Sequence, residues 1–310
     1  MSQATNNPAA RPEADILQRP VWKQYLDLCK IKVVMLISFT AIVGMLLATP
    51  PGFPLPWNAL IFGNIGIFLA ACAAAAVNHV VDKKIDAKME RTRKRPVATG
   101  HVSGRNALIF AMVLTVISMT ILVVRVNTIT AVLTLFSLVG YAVIYTMYLK
   151  RATPQNIVIG GAAGAAPPIL GWAAVTGIDP TLSNSFWLFL LIYIWTPPHF
   201  WALAIYRRHE YAKAKIPMLP VTHGVDFTRL HVLLYTILLF VISMMPYITG
   251  MCGKVYLVGS VLLGLGFLYH ALRLMRSDEE KVSMQTFVYS IYYLMGMFAF
   301  LIVDHYFKVY

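Results

Sequence analysis

Residues 57–96 read WNALIFGNIGIFLAACAAAAVNHVVDKKIDAKMERTRKRP, a stretch that passes from an apolar run into a dense cluster of charges. The run at 57–81 contains no Asp, Glu, Lys or Arg. About 20 apolar helical residues are enough to cross the hydrocarbon core of a bilayer. The stretch therefore predicts a membrane-spanning helix that ends in a basic loop.

The rest of the chain repeats this pattern. Its 310 residues are 58% hydrophobic and 13% charged, a balance that excludes intrinsic disorder and is too apolar for an ordinary soluble domain. Nine apolar stretches without Asp or Glu are long enough to span a membrane, and they lie near 34–49, 57–81, 106–124, 127–149, 155–176, 185–206, 230–250, 255–272 and 285–303. The fold class predicted is an all-α integral membrane protein with nine transmembrane helices.

The positions of the basic residues predict how the helices are oriented. Of the 26 Lys and Arg, all but Arg125, Lys254 and Lys308 fall in the tail and in alternate loops. Basic residues are retained in the cytoplasm during insertion, so the N-terminus is predicted to be cytoplasmic and the C-terminus outside. The net charge of +13 lies in short loops, which favours membrane lipid or a substrate phosphate as the anionic partner and not nucleic acid.

Two parts of the chain are distinguished by composition. Residues 1–33 are predicted to form a cytoplasmic tail, and residues 34–307 a single transmembrane domain. No apolar segment of the kind found in a signal peptide precedes the first span, so we expect a solvated tail. The absence of an Arg- and Ser-rich amphipathic presequence favours the bacterial inner membrane over an organelle membrane.

The first long cytoplasmic loop carries a candidate metal and phosphate site. Asn78, Asp82 and Asp86 recur every four residues, so a continuing helix places three oxygen-bearing side chains on one face. Mg²⁺ prefers carboxylates together with water and the phosphate oxygens of a substrate. Cations that bind phosphate follow at once, namely Arg91, Arg93, Lys94 and Arg95. A charged helix end that obeys the positive-inside rule is the alternative, but it leaves a polar Asn78 inside an apolar span unexplained.

The loop after the sixth span has a similar character. Glu210 lies among four cations, Arg207, Arg208, Lys213 and Lys215. The two loops are therefore predicted to close on one anionic ligand from opposite sides, with another positive-inside loop as the alternative. His199 precedes Arg207 by eight residues, which places it about 12 Å below the cytoplasmic end of the helix.

Three segments together resemble the UbiA superfamily of intramembrane prenyltransferases, and within it the branch that farnesylates haem. They are the Asn78…Asp82…Asp86 run with MERTRKRP at 89–96, TPPHFWALA at 196–204, and IPMLPV at 216–221. The resemblance extends over the chain from the first span to the ninth. The first motif alone indicates only the superfamily.

The resemblance implies a nine-helix bundle around a central cavity and a reaction within it. In that branch farnesyl diphosphate is ionised with Mg²⁺, the 2-vinyl group of haem B attacks the allylic cation, and addition of water gives haem O. It implies that Asn78, Asp82 and Asp86 form the Mg²⁺–diphosphate site and that Arg91, Arg93, Lys94 and Arg95 bind diphosphate. It also implies farnesyl diphosphate, haem B and membrane lipid as partners, with haem A synthase or terminal oxidase assembly proteins as further ones.

His199 is the residue for which two roles are open. Its imidazole could contact the haem or move the proton when the vinyl group is hydrated, which makes it a candidate catalytic residue. Alternatively, a neighbouring helix satisfies its hydrogen bonds.

The second loop departs from the superfamily pattern, and this leaves alternatives open. Members with aromatic acceptors usually carry Asp-x₃-Asp there, whereas here Glu210 is followed four residues later by Ala214. A prenyltransferase for a quinone-type acceptor and a non-catalytic haem-binding oxidase assembly factor are the alternatives. A transporter is disfavoured because the spans have no carboxylate near the bilayer midplane.

Overall fold

The computed structural model describes residues 20–90, 92–149 and 152–307, and these ranges contain helices and no β-strand. In chain order the helices are α1 Val21–Leu28, α2 Ile31–Leu47, α3 Asn64–Val81, α4 Lys83–Asp86, α5 Pro96–Thr99, α6 Gly104–Arg125, α7 Thr128–Val139, α8 Asn156–Ala165, α9 Pro167–Thr176, α10 Leu182–Tyr206, α11 Arg208–Lys213, α12 Leu219–Thr222, α13 Val225–Ile248, α14 Lys254–Arg276 and α15 Glu280–Tyr306. A π-helical segment at Ala59–Gly63 precedes α3, and another at Gly140–Leu149 follows α7.

The membrane-spanning character predicted from the sequence is confirmed. Within the described ranges, eight helical stretches are long and apolar enough to cross a bilayer: Ala59–Val81, Gly104–Arg125, Thr128–Leu149, Asn156–Thr176, Leu182–Tyr206, Val225–Ile248, Lys254–Arg276 and Glu280–Tyr306. Helices α1 and α2 meet at a bend of 50° and make a ninth span if the pair is counted as one. Each predicted window overlaps one of these stretches over most of its length. The cytoplasmic position of the N-terminus stays a prediction.

The predicted tail at 1–33 overlaps the first helix. Residues 1–19 lie outside the described residues, but α1 is helical and Leu28 is fully buried. Tyr25 packs edge-on against Phe110 of α6, with ring centroids 5.0 Å apart. The last part of this segment is therefore packed on the bundle, and α2 begins at Ile31. The boundary between tail and domain stays a prediction.

Helix α10 is the central element of the bundle. It contributes Leu188, Leu191 and Trp195 to the largest buried cluster, which includes residues of α2, α9, α13, α14 and α15. The outer helices expose large apolar side chains, such as Val124 and Phe136, as a lipid-facing surface requires. Some polar side chains inside the spans bond to their own helix, as Thr115 of α6 does to the carbonyl of Ala111 at 2.8 Å, and others bond to a neighbouring helix, as Ser118 does to the carbonyl of Gly66 at 2.7 Å.

Two irregularities in the spans lie beside a large apolar cavity. Pro167 and Pro168 occupy the first turn of α9, where a missing N–H is tolerated, and they divide the span 156–176 into two helices. Pro197 and Pro198, in contrast, lie within α10 without interrupting it. The π-helical segment after α7 is the longer irregularity, and such segments often occur at functional sites.

Helices α2 and α9 approach each other closely at two glycines. A Cβ added to Gly171 would lie 2.0 Å from the carbonyl oxygen of Ala41, and one added to Gly44 would lie 2.3 Å from that of Pro168. Neither contact can be relieved by rotating a side chain. The absence of a Cβ at both positions therefore sets the distance between the two helices.

We expect Gly171→Ala to destabilise the protein. The substitution forces α2 and α9 apart, and strain of this kind costs about 1–3 kcal/mol, which exceeds the gain of about 0.5–1 kcal/mol in helix propensity. Thermal unfolding in detergent measures the effect. Gly164→Ala is the matched control, because a Cβ there meets nothing within 4 Å. Equal unfolding temperatures for the two variants would contradict the prediction.

Candidate active site

The three oxygen-bearing residues of the first loop lie at the junction of α3 and α4. Asn78, Asp82 and Asp86 are 4%, 0% and 3% exposed. The amide of Asn78 donates to Asp82 Oδ2 at 2.9 Å. The backbone continues the helical pattern through the junction, since the N–H of Asp86 donates to the carbonyl of Asp82 at 2.8 Å. The structure thus places them on successive turns, as the spacing predicts.

Arg95 holds the second carboxylate in place. Its Nη1 donates to both carboxylate oxygens of Asp86, at 2.9 and 2.8 Å. The hydroxyl of Thr92 donates to the carbonyl of Asp86 at 3.1 Å. Because the carboxylate is 4% exposed and the arginine 21%, this ion pair is largely shielded from solvent. The loop is consequently folded back onto its own acidic residue.

Lys30 enters the site from the bend between α1 and α2. Its Nζ donates to Oδ1 of Asn78 and also lines the large cavity described below. The residue has φ 49° and ψ 50°, a left-handed conformation that is uncommon for residues with a Cβ. Lys30 is therefore the described cation that both lines the cavity and contacts the Asn78–Asp82 pair.

The π-helical segment brings two tyrosines to the same region. Thr146 Oγ1 donates to the carbonyl of Tyr141 at 2.8 Å and lies 3.5 Å from the amide nitrogen of Asn78. Tyr141 and Tyr145 line the cavity, with ring centroids 5.4 Å apart. A Cβ on Gly160 would collide with the Tyr145 ring at 2.1 Å, so this glycine makes room for the ring.

A cavity of about 450 Å³ lies among α2, α3, the π-helical segment, α8 and α10. Its wall is mainly apolar, and its polar residues include Lys30, Thr196 and His199. Three glycines on α8, namely Gly160, Gly161 and Gly164, leave one part of the wall without side chains. A long apolar group and a flat aromatic one are the kinds of ligand that such a space accommodates.

The second loop meets the first on the same side of the bundle. Ile85 and Met89 of the first loop belong to one buried cluster with Ile216 and Leu219 of the second. A cleft of about 210 Å³ between the loops is lined by Lys84, Ile85, Lys88, Ala214, Lys215, Ile216 and Pro217. The predicted approach of the two loops therefore occurs.

The predicted residues of the second loop differ in their surroundings. Arg208 forms an ion pair with Glu280 at 3.0 Å, so its positive charge is partly balanced within the protein. Arg207 and Glu210 are half-buried, and their Nε and Oε2 atoms have no hydrogen-bond partner among the residues that the structure describes. Lys213 and Lys215 are exposed. None of these five residues lines the large cavity.

The basic residues of the first loop also differ in their surroundings. Arg95 contacts Asp86, whereas Arg93 and Lys94 are exposed. Arg91 lies outside the described residues. The roles of all four in binding diphosphate stay predictions.

Sequence reasoning missed three residues of this site. In the sequence, Lys30 is one of the basic residues of the tail, and Tyr141 and Tyr145 lie inside an apolar window. The positive φ of Lys30 has no sequence signature, since lysine is not a typical left-handed residue. The Gly160–Tyr145 contact offers a weak signal, because small residues in a span indicate a close approach.

The donor set of the first loop fits Mg²⁺. Asp82 and Asp86 supply hard carboxylate oxygens on successive turns, and one or two carboxylates with substrate phosphates are the usual ligands of this ion. In the described ranges no group of three His, Cys, Asp or Glu side chains could hold a metal. A substrate phosphate would therefore supply the remaining oxygen ligands.

The fold and the site are those of a membrane-spanning helical bundle in which charged loops adjoin an apolar cavity. Residues 37–302 match the UbiA prenyltransferase family, and this chain belongs to that family. The resemblance noted in the sequence is thereby confirmed.

Similar chains carry a more specific name. The chain is 59% identical over 285 residues to the protoheme IX farnesyltransferase of Marinobacter nauticus, covering 92% of this chain and 93% of the relative. It is 55% identical over 303 residues to the protoheme IX farnesyltransferase of Methylococcus capsulatus, covering 97% and 99%.

Solved structures share the fold at low identity. A digeranylgeranylglyceryl phosphate synthase superposes with a TM-score of 0.77 at 18% identity, over 92% of this chain and 98% of that one. A UbiA homologue from Archaeoglobus fulgidus bound to GPP and Mg²⁺ superposes with a TM-score of 0.58 at 15% identity, over 90% and 99%.

Proposed function

We propose that this chain transfers the farnesyl group of farnesyl diphosphate to the 2-vinyl group of haem B. A water molecule supplies a hydroxyl group to the product, so that haem O, diphosphate and a proton are formed. The observation that carries the proposal is the apolar cavity lined by Lys30, whose amine donates to Asn78, which in turn donates to Asp82. The protoheme IX farnesyltransferases at 55–59% identity support haem as the acceptor.

The first step is loss of diphosphate, and charged groups of this chain stabilise it. Lys30 provides a positive charge at the cavity wall next to Asn78. Asp82, Asp86 and Asn78 would hold Mg²⁺, which would supply electrostatic stabilisation of the departing diphosphate. Arg95 fixes the carboxylate of Asp86, so the negative charge is oriented before substrate binds.

The basic residues of the loops are proposed to complete diphosphate binding. These are Arg91, Arg93, Lys94 and Arg95 in the first loop and Arg207, Arg208, Lys213 and Lys215 in the second. We also include Glu210 in the proposed diphosphate-binding group, because this acid lies among the four cations of the second loop. The cleft between the loops supports this, since Lys215 lies there with Lys84 and Lys88.

The walls of the cavity protect the allylic cation that forms. Tyr141 and Tyr145 line the cavity from the π-helical segment, and Trp195 lines it from α10. Aromatic faces attract cations, and an apolar wall excludes water until the acceptor reacts. His199, also in the wall, is proposed as the residue that contacts the haem.

The cellular setting follows from the membrane fold. The chain is a multi-pass integral membrane protein, and we place it in the bacterial inner membrane with its site facing the cytoplasm. Relatives in bacteria such as Marinobacter nauticus support this placement. Haem A synthase and terminal oxidase assembly proteins are the proposed downstream partners, because they would consume a farnesylated haem.

Mass spectrometry of extracted haem tests the proposed function. Purified protein is incubated with haem B, farnesyl diphosphate and Mg²⁺, with and without a chelator. We expect a product heavier than haem B by one farnesyl group and one hydroxyl group, and we expect the chelator to abolish it. Unmodified haem from folded protein would contradict the proposal and would direct attention to quinone-type acceptors or to an assembly factor.

We expect Tyr145→Leu to divert the reaction towards hydrolysis. The variant keeps an apolar side chain but removes an aromatic face worth about 0.5–2 kcal/mol to a cation, so transfer to haem should fall by on the order of tenfold while farnesol increases. Chromatography of both products measures the ratio. Tyr148→Leu is the matched control, since Tyr148 is on the same π-helical segment but is 66% exposed. Identical product ratios for the two variants would argue against a role for Tyr145.

A further inference from the structure

The imidazole of His199 is held rigidly in the cavity wall. Its ring stacks on Trp195, with centroids 4.1 Å apart and planes at 20°, and on Phe287, with centroids 4.6 Å apart and planes at 29°. The side chain lines the cavity although the residue is only 8% exposed. Phe200 also contacts the ring, with centroids 5.1 Å apart and planes at 84°, so the interactions left to the His199 ring are those of its nitrogens in the ring plane.

Hydrogen bonds to Ser290 determine which ring nitrogen carries the proton. Ser290 Oγ donates to the carbonyl of Phe287 at 2.6 Å and lies 2.6 Å from His199 Nδ1. A serine hydroxyl has a single hydrogen, and the carbonyl can only accept, so Nδ1 must be the donor to Ser290. In the neutral imidazole, Nε2 then carries a lone pair.

The surroundings keep this arrangement fixed and leave Nε2 available. The indole of Trp195 donates to the backbone carbonyl of Ser290 at 2.8 Å, so the ring that stacks on His199 is bound to the same serine. In the part of the chain that the structure describes, the hydrogen bond of the His199 ring is made by Nδ1, and none is made by Nε2. Among the described residues that line the cavity, His199 is also the sole His, Cys or Met.

We infer that His199 Nε2 is the axial ligand of the iron in the haem acceptor and that Ser290 is the residue that positions it. An imidazole whose other nitrogen donates to a fixed acceptor is the usual form in which histidine binds a metal. The inference rests on the proposed function, since it takes an iron porphyrin as the cavity's ligand. It adds how the acceptor is oriented, because the iron must lie at the edge of this ring.

Titration with ferric haem, without farnesyl diphosphate, tests the inference in the full-length protein. The absorption and electron paramagnetic resonance spectra of the wild type should show histidine ligation. His199→Ala should lose this signature, and added imidazole should restore it. Metal-free protoporphyrin IX is the second probe, and its affinity should change little in His199→Ala while that of ferric haem falls about tenfold or more. His209→Gln, an exposed histidine of the second loop, is the matched control.

The serine is tested separately, so the inference does not depend on one variant. Ser290→Ala should keep haem bound but shift the iron–histidine stretching frequency and weaken affinity by about 10–100-fold, as loss of a hydrogen bond to a metal-bound histidine does. Ser290→Thr retains the hydroxyl and should restore both. A purely structural serine would leave the stretching frequency unchanged.

The outcomes distinguish this inference from the proposed function. An unchanged haem spectrum in His199→Ala would overturn axial ligation, while farnesylated haem in the product assay would still support the proposed function. Wild-type protein that neither binds ferric haem nor yields a farnesylated product would overturn both.

Discussion

Asp82→Asn should lower farnesyl transfer by about 10²–10³-fold, the range seen when one electrostatic contribution to a transition state is removed. Asp82 is fully buried and accepts a hydrogen bond from the side-chain amide of Asn78. The substitution keeps the size and shape of the side chain and removes one negative charge. We expect kcat to fall and the Mg²⁺ concentration needed for half-maximal activity to change. Initial rates over a range of Mg²⁺ concentrations measure both. Binding of ferric haem should be unaffected.

The matched control lies in the same loop. Glu90→Gln also replaces an acid by its amide, but Glu90 is exposed, so we expect activity near that of the wild type. Equal activity of Asp82→Asn and Glu90→Gln would show that the metal and diphosphate site is elsewhere. A thermal unfolding curve for each variant separates loss of chemistry from loss of fold.

The fold was predictable because hydrocarbon imposes a strong constraint on sequence. Each span must satisfy its own backbone hydrogen bonds and present apolar side chains to lipid, so its length and position can be recognised in the sequence. The bend between α1 and α2 was not predictable, since it depends on the conformation of a single residue, Lys30. The division at Pro167 and Pro168 was indicated by the prolines themselves.

The site was predictable only where it is local in sequence. Asn78, Asp82 and Asp86 repeat at a helical interval, and the structure places them on one face as that interval requires. Contacts between distant segments left no such pattern. The bond from His199 to Ser290 joins residues 91 positions apart, and that from Lys30 to Asn78 joins residues 48 apart. Helix packing brings these residues together, and no local pattern in a single sequence indicates which distant residues will meet.

Removing the amine of Lys30 should reduce farnesyl transfer by about 10²-fold, because its charge lies at the cavity wall beside Asn78, where we propose that diphosphate leaves. The expected effect of Lys30→Gln is a higher KM for farnesyl diphosphate together with a lower kcat. Lys30→Arg keeps a positive charge and should retain more activity than Lys30→Gln. Lys23→Gln is the control, since Lys23 is exposed and contacts the ring of Trp22 at 5.4 Å.

Lys30→Gly separates the function of the amine from the stability of the bend. Glycine adopts φ near 49° without the penalty of about 1–2 kcal/mol that a Cβ incurs in the left-handed region. We therefore expect this variant to lose activity as Lys30→Gln does, yet to unfold at a temperature no lower than that variant. Retained activity in Lys30→Gly would remove Lys30 from the site. A lower unfolding temperature would mean that the lysine side chain is needed for the bend itself. Because a glycine would fold at this position at lower cost, the positive φ of Lys30 supports a requirement for the lysine side chain in the cavity wall.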